Sequence, residues 1–297
     1  MIRRDSIPQY GMTAIGQSDL NLQGVVVLPF MESVRMDPDR LRPHYHEFFQ
    51  IFVLQGEAQV MHDFQEFRST GDTLVFLSPG QVHTVLPGPG LGGITLSFSQ
   101  EFFDLRSTPP STLYDFPFFF STDVATHLQI PEGDPDEILP MIPILQREFD
   151  AALPDAAEAL RAALRLFLVR VNRLYSRTHP PRKAASRAGQ LVRQFHLEVE
   201  QRFKELTSVG AYATALGVSS NHLNDVVHEQ TGRPAGDIIR QRRLLDAKRL
   251  LLHSDLSVSE IGYDLGFHDP SYFSRFFRRY AGVPPEAFRD TIREKYH

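Results

Sequence analysis

The sequence predicts an α+β chain: a β-rich sandwich or barrel, then a helical middle segment, then an all-α domain with two helix-turn-helix motifs. Three observations predict it. Short β-branched and aromatic runs recur between Val25 and Phe98, the apolar spacing turns helical after Pro135, and the C-terminal third contains one helical unit written twice. The division expected is 1–107 for the barrel, 108–178 for a helical dimerisation segment, 179–187 for a linker and 188–297 for the double helical unit.

The first region is read from runs such as QIFVLQ, AQVM, DTLVFL and GITLSF, each bounded by Gly, Pro or Asp. Strands at short intervals with such turn residues build a compact antiparallel sandwich or barrel. In the middle region Leu160, Leu164, Phe167, Val171 and Leu174 follow a 4-3-4-3 spacing, which places them on one helix face. That stripe either packs on the barrel or forms a two-helix seam between subunits. SRTHPPRKAASRAG then reads as an exposed linker.

The length of 297 residues is about two domains at roughly 150 residues each. With no cysteine, disulfides, thiolate nucleophiles and Cys-ligated metal centres are excluded. The N-terminal stretch lacks the apolar core of a signal peptide and no run reaches the about 20 apolar residues of a membrane span, so the expectation is a cytoplasmic protein without a membrane partner. The net charge of -5 divides unevenly: residues 1–181 hold 13 Lys+Arg against 22 Asp+Glu, and residues 182–297 hold 18 against 14. A basic C-terminal piece on an acidic body suits a polyanion.

In the repeat, TSVGAYATALGVSSNHLNDVVHEQTGRP aligns with LSVSEIGYDLGFHDPSYFSRFFRRYAGVP at an offset of 49 from Gly217 to Gly266, with Ala281 as an insertion. Ser257 and Glu260 predict a capping box, and Ile261 and Leu265 lie one turn apart. Gly266 supplies the left-handed turn, Phe267 fills the angle, and Asp269-Pro270 restarts the chain as a helix. Phe273, Phe276, Phe277 and Tyr280 are expected inward, leaving Ser271, Ser274, Arg275, Arg278 and Arg279 outward. The first unit presents Ser220, Asn221, Asn224 and Asp225. Asparagine can pair with adenine and aspartate can accept from cytosine, although aspartate repels phosphate. GDIIRQRRLLDAKRLLLHS reads as one connecting helix with Ile239, Leu244, Ala247 and Leu251 inward and Arg240, Arg242, Arg243, Lys248 and Arg249 outward, Arg243 being a further candidate for DNA.

Residues of about 188 to 290 resemble the DNA-binding domain of the AraC/XylS family of bacterial regulators, most diagnostically over SVSEIGYDLGFHDPSYFSRFFRRYAGVPPEAFR. The resemblance implies two recognition helices in successive major-groove faces of one operator. It also implies a homodimer, RNA polymerase as a further partner, and an N-terminal barrel that senses a small metabolite without altering it, with no cofactor. Asp225 departs from the basic residue common in the family.

In the barrel, Pro43-His44-Tyr45-His46 precedes Phe48, Gln50 and Phe52 on one strand face, and His83 follows Ser78-Pro79-Gly80. This pattern resembles the cupin barrel and its metal set, His44, His46 and His83. Where cupin enzymes add a Glu, this chain has Gln50, a poor ligand. The expectation is therefore a ligand pocket of His44, His46, Phe48, Gln50, Phe52, Phe76 and His83 with no metal, suited to an aromatic acid better than a sugar. Two alternatives stay open: a metal-dependent cupin dioxygenase or isomerase with a DNA-binding tail, and an architectural DNA binder.

Overall fold

The computed structural model describes residues 7–12, 24–104, 113, 116–119, 127–134, 136–151, 153–178 and 187–296. The chain folds as two compact units, Pro8–His179 and Pro180–His297. Most of the expected linker, residues 179–186, lies outside the described residues.

The N-terminal unit is an antiparallel two-sheet barrel. After β1 (Gln9–Tyr10) come β2 (Val25–Pro29), α1 (Phe30–Met36), β3 (Tyr45–His46), β4 (Phe49–Gln55), β5 (Ala58–His62) and β6 (Gln65–Ser69). They are followed by β7 (Asp72–Leu77), β8 (His83–Pro87), β9 (Gly92–Phe98), α2 (Gln100–Asp104) and β10 (His127–Gln129). The two barrel sheets have the orders β10-β7-β4-β9-β2 and β6-β5-β8, and β1 pairs in parallel with β3 as a separate two-stranded sheet. A bridge from His44 to His83 joins the chain before β3 to β8.

The centre of the large sheet is buried on both faces, which is why FQIFVL, Gln50 apart, is apolar rather than alternating. Phe52 and Leu54 of β4 pack with Val75, Leu77, Val60 and Val85 between the sheets. Phe49, Ile51 and Val53 face the other way, into a core that includes residues of α3 (Ile142–Ala151) and α4 (Ala156–Thr178). Leu160, Leu164, Phe167 and Val171 are each 0% exposed there and Leu174 is 2%. This answers the choice left open by the periodicity. The stripe packs on its own barrel, so it cannot serve as a seam between subunits. The boundary expected at residue 107 divides no core either, since β10 pairs with β7 and the α4 stripe shares a core with β4.

The C-terminal unit runs through α5 (Arg187–Arg202), α6 (Val209–Ala215), α7 (Ser220–Thr231), α8 (Ala235–His253), α9 (Val258–Asp264), α10 (Pro270–Ala281) and α11 (Pro285–Tyr296). Its two helix-turn-helix units, α6-α7 and α9-α10, have separate cores that each draw on α8. Both recognition helices have 12 residues, and their N-caps, Ser219 and Asp269, stand 50 apart, whereas α6 and α9 begin 49 apart. The inserted residue of the repeat therefore lies in the turn before α10, not at Ala281 within the helix. Among the described residues, no helix is long and apolar enough to cross a membrane.

Candidate DNA-reading surface and effector pocket

The second unit is organised by its end signals. Ser257 accepts from the Glu260 amide at 3.2 Å while Glu260 accepts from the Ser257 amide at 2.7 Å, closing a reciprocal box. Hydrogen bonding to the Ser257 hydroxyl and amide lowers the pKa of Glu260. Gly266 turns the chain at φ +76°, and a side chain there would meet the Lys204 carbonyl. Asp269 then accepts from the Ser271 amide at 2.8 Å, with Pro270 as first helical residue. Phe273 and Phe277 are fully buried behind α10. Tyr280, expected inward, is 38% exposed, because it lies at the end of the helix beyond that core.

This backing leaves Ser271, Arg275 and Arg278 exposed and Ser274 half-buried. The Arg275 side chain is 70% exposed and 3.8 Å from Asp269, too far for a hydrogen bond. The short, apolar-backed helix with a small polar residue and an arginine near its N-terminus has the form of a major-groove reading helix. Tyr272, missed in the sequence reading, stands 57% exposed between Ser271 and Phe273. Its place in a run of aromatics concealed it, although helical spacing puts it off the Phe273-Phe277 face.

In the first unit Ser220, Asn221 and Asp225 are exposed on α7. Asn224 is committed elsewhere: its side-chain oxygen accepts from the Ala235 amide at 3.1 Å, supplying a cap that Pro234 cannot give to α8. Arg243 requires a correction as a DNA contact. It is 6% exposed, donates to the Leu265 carbonyl at 2.6 Å, and stacks over Phe267 with 3.9 Å to the ring centroid. It thus satisfies a carbonyl at the end of α9. Arg242 and Arg249 are not outward either. Arg249 is 7% exposed, and Arg242 lies between Glu200 at 2.7 Å and Asp246 at 3.3 Å. The helical pattern misleads here because α8 is covered on several sides, so its arginines face neighbouring helices.

In the barrel, His44, His46 and His83 come together, with His83 4.3 Å from His44 and 4.8 Å from His46 between ring centroids. Each Nδ1 is tied to a backbone carbonyl: His44 to Arg42 at 2.9 Å, His46 to Phe48 at 2.8 Å and His83 to Gln81 at 3.1 Å. Burial lowers the pKa of His44 to about 4 and of His46 to about 3, and pushes His83 well below its usual value. All three rings are neutral at pH 7.

The residues present do not fit a cupin metal. His46 Nε2 lies 3.0 Å from the Gln50 amide, which also bonds Ser97 at 2.9 Å. Among the described residues, no group of three His, Asp or Glu side chains is placed to hold a metal ion.

A small cavity, open to solvent, lies beside this cluster. Of the expected pocket residues, His44, Gln50 and Phe52 line it, together with Phe30, Ser33, Val34, Arg40, Val85 and Thr95. His46 and His83 are fully buried near His44, and Phe48 stacks on His46 at 4.1 Å. Phe76 does not belong to the pocket. Strand alternation turns it to the opposite sheet face, where it packs 4.2 Å from Phe118. Thr95 was legible only through pairing, since β9 sets it opposite Phe52 and Ser97 opposite Gln50. Arg40 comes from a 3-10 turn that no periodicity marks.

Comparison with known proteins places these two sites in one class. Residues 212–291 match the family described as helix-turn-helix domain, and residues 32–131 match the AraC-like ligand binding domain. A DNA-binding helix-turn-helix domain joined to a ligand-binding domain defines a transcription regulator. The chain is a member of the AraC/XylS family of such regulators.

Among its relatives is the HTH-type transcriptional activator RhaR of Enterobacter sp. (strain 638), 26% identical over 84% of this chain and 88% of the relative. RhaR of Shigella flexneri serotype 5b is 23% identical over 88% of this chain and 91% of the relative. ToxT from Vibrio cholerae O395 is similar with 15% identity over 84% of this chain and 90% of that one, at a TM-score of 0.41.

Proposed function

We propose that this regulator reads an operator through α7 and α10 and is controlled by a small metabolite in the barrel cavity. The observation that carries this reading is the repetition, on one connecting helix, of two capped units whose recognition helices leave their N-terminal turns exposed. Ser271, Ser274, Arg275 and Arg278 serve one set of bases and phosphates, and Ser220, Asn221 and Asp225 the other. The second unit supplies most of the affinity, because it alone carries arginines on its reading helix. An aromatic acid is the effector class we favour, since Phe30 and Phe52 line the cavity.

Ligand binding in the barrel shifts a population between two presentations of the DNA-binding unit. The active species is a cytoplasmic homodimer that works with RNA polymerase. With the inner stripe of α4 covered, its outward residues Leu166 and Val169, 46% and 40% exposed, form the subunit contact.

Footprinting on the DNA upstream of its own reading frame tests the proposal. The expected result is protection over about two helical turns per subunit, weakened by salt and altered by an added metabolite. Absence of any protected sequence, with or without metabolites, would overturn it.

A further inference from the structure

The two helix-turn-helix cores are joined by two rods. Besides α8, the helix α5 supplies Val192, Phe195 and Val199 to the first core, and Phe203, just beyond its end, belongs to the second. α8 makes the same changeover, giving Ala235, Ile238 and Ile239 to the first core and Leu244, Ala247 and Leu251 to the second. Glu200 and Arg242 stand at the two changeover points. Arg242 Nε donates to Glu200 at 2.7 Å, its Nη1 donates to Asp246 at 3.3 Å, and its guanidinium lies 3.9 Å from the Phe203 ring centroid. The side chains of Arg242 and Glu200 are only 12% and 13% exposed.

The second unit is pinned to the same joint. Lys204 Nζ lies 2.6 Å from Asp264, at the end of α9, and 3.9 Å from Asp246. Apolar contacts alone would let the rods slide, because burial carries no direction. A guanidinium held by two carboxylates and an aromatic face is satisfied in one arrangement. Such a buried pair adds little net stability, since desolvation offsets most of the Coulomb gain, and its contribution here is a defined geometry.

We propose that Glu200, Arg242 and Asp246 are positioning residues: they lock α5 to α8 between the two cores, hold α7 and α10 at one separation, and make the protein select DNA by the spacing of its two contacted base sets. This rests on both helices reading one DNA site. Moving one base set by a single base pair displaces it by about 3.4 Å and rotates it by about 35°, a change that locked helices cannot follow.

The absence of cysteine allows two spin labels to be placed without other changes. Glu229 on α7 and Arg279 on α10 are exposed and lie outside the proposed reading residues. With nitroxides on Glu229→Cys and Arg279→Cys, pulsed electron double resonance reads the distance between the helices in the full chain without DNA. A single narrow distribution is expected. Glu200→Leu with Arg242→Met keeps the joint apolar and leaves Asp246 to Lys204, and it should widen the distribution about twofold or more. Arg242→Lys keeps the charge but loses the planar fork, and should widen it less. On a duplex selected by the full chain from random sequences, inserting one base pair between the base sets should weaken wild-type binding about tenfold or more, and that of the double variant less than about threefold. A loss of stability alone would weaken binding to both duplexes alike.

A wild-type distribution in the folded double variant overturns the lock, and so does a broad one in the labelled parent chain. If the double variant does not fold, Arg242→Lys decides, and a wild-type width there overturns the lock. A narrow distribution without any penalty for the inserted base pair overturns the selection by spacing. The regulator reading fails separately, by the absence of a footprint.

Discussion

The two helix-turn-helix units share a plan and differ in how each detail is secured. The second packs Phe267, Phe273, Phe276 and Phe277 behind its reading helix, where the first uses Leu223, Val226 and Val227 beside Tyr212. The second opens on a reciprocal capping box, and the first on Ser208 alone. The exit helices differ in the same way. α11 starts with Pro285, which has no amide hydrogen to satisfy, while α8 starts with Ala235, whose amide takes the Asn224 side chain. A backbone requirement met by proline in one unit is thus met by a reading-face residue in the other. Repetition of a fold does not imply repetition of its contact residues.

The comparison can be broken first at the turn glycines. Both adopt positive φ, but a side chain at Gly266 would meet the Lys204 carbonyl at 2.1 Å, and one at Gly217 would meet nothing within 4 Å. Gly266→Ala should therefore destabilise the DNA-binding unit by about 2–5 kcal/mol, combining conformational strain with overpacking. Gly217→Ala should cost about 1–2 kcal/mol. Thermal unfolding of both variants checks this, and equal losses would contradict the asymmetric packing.

Arg243 comes next. Arg243→Met should remove about 1.5–3 kcal/mol of stability through its charged hydrogen bond to Leu265, while the salt dependence of DNA binding at permissive temperature stays unchanged. A shallower salt slope would return Arg243 to the phosphate contacts.

On the reading faces, Arg275→Ala should cost about 1–3 kcal/mol of DNA affinity and relax preference at one base pair. A uniform loss across operator variants would make it a phosphate contact. Asn224→Ala should instead lower stability by about 1 kcal/mol through the lost cap, with operator preference retained. The smallest effect is expected for Asp225→Asn. Removing one exposed carboxylate from α7 should improve binding by less than about 1 kcal/mol, most visibly at low salt in a mobility-shift titration.

The sequence by itself determined the parts governed by local rules. Caps, a proline at the first helical turn, glycines at positive φ and the Phe273-Phe277 backing are decided within a few residues, so both helix-turn-helix units were legible. Strand alternation likewise put Gln50 and Phe52 on one face. Tertiary structure decided what depends on neighbours distant in the chain. Arg243 reads as a surface cation until Leu265 and Phe267 are set against it, and Phe76 reads as a pocket residue until the pairing of β7 with β4 turns it toward Phe118. Arg40 and Thr95 share a cavity only after β9 and the turn before β3 are brought together. The physical reason is that hydrogen bonding and φ preference act over a few residues, whereas burial is a property of the assembled layers.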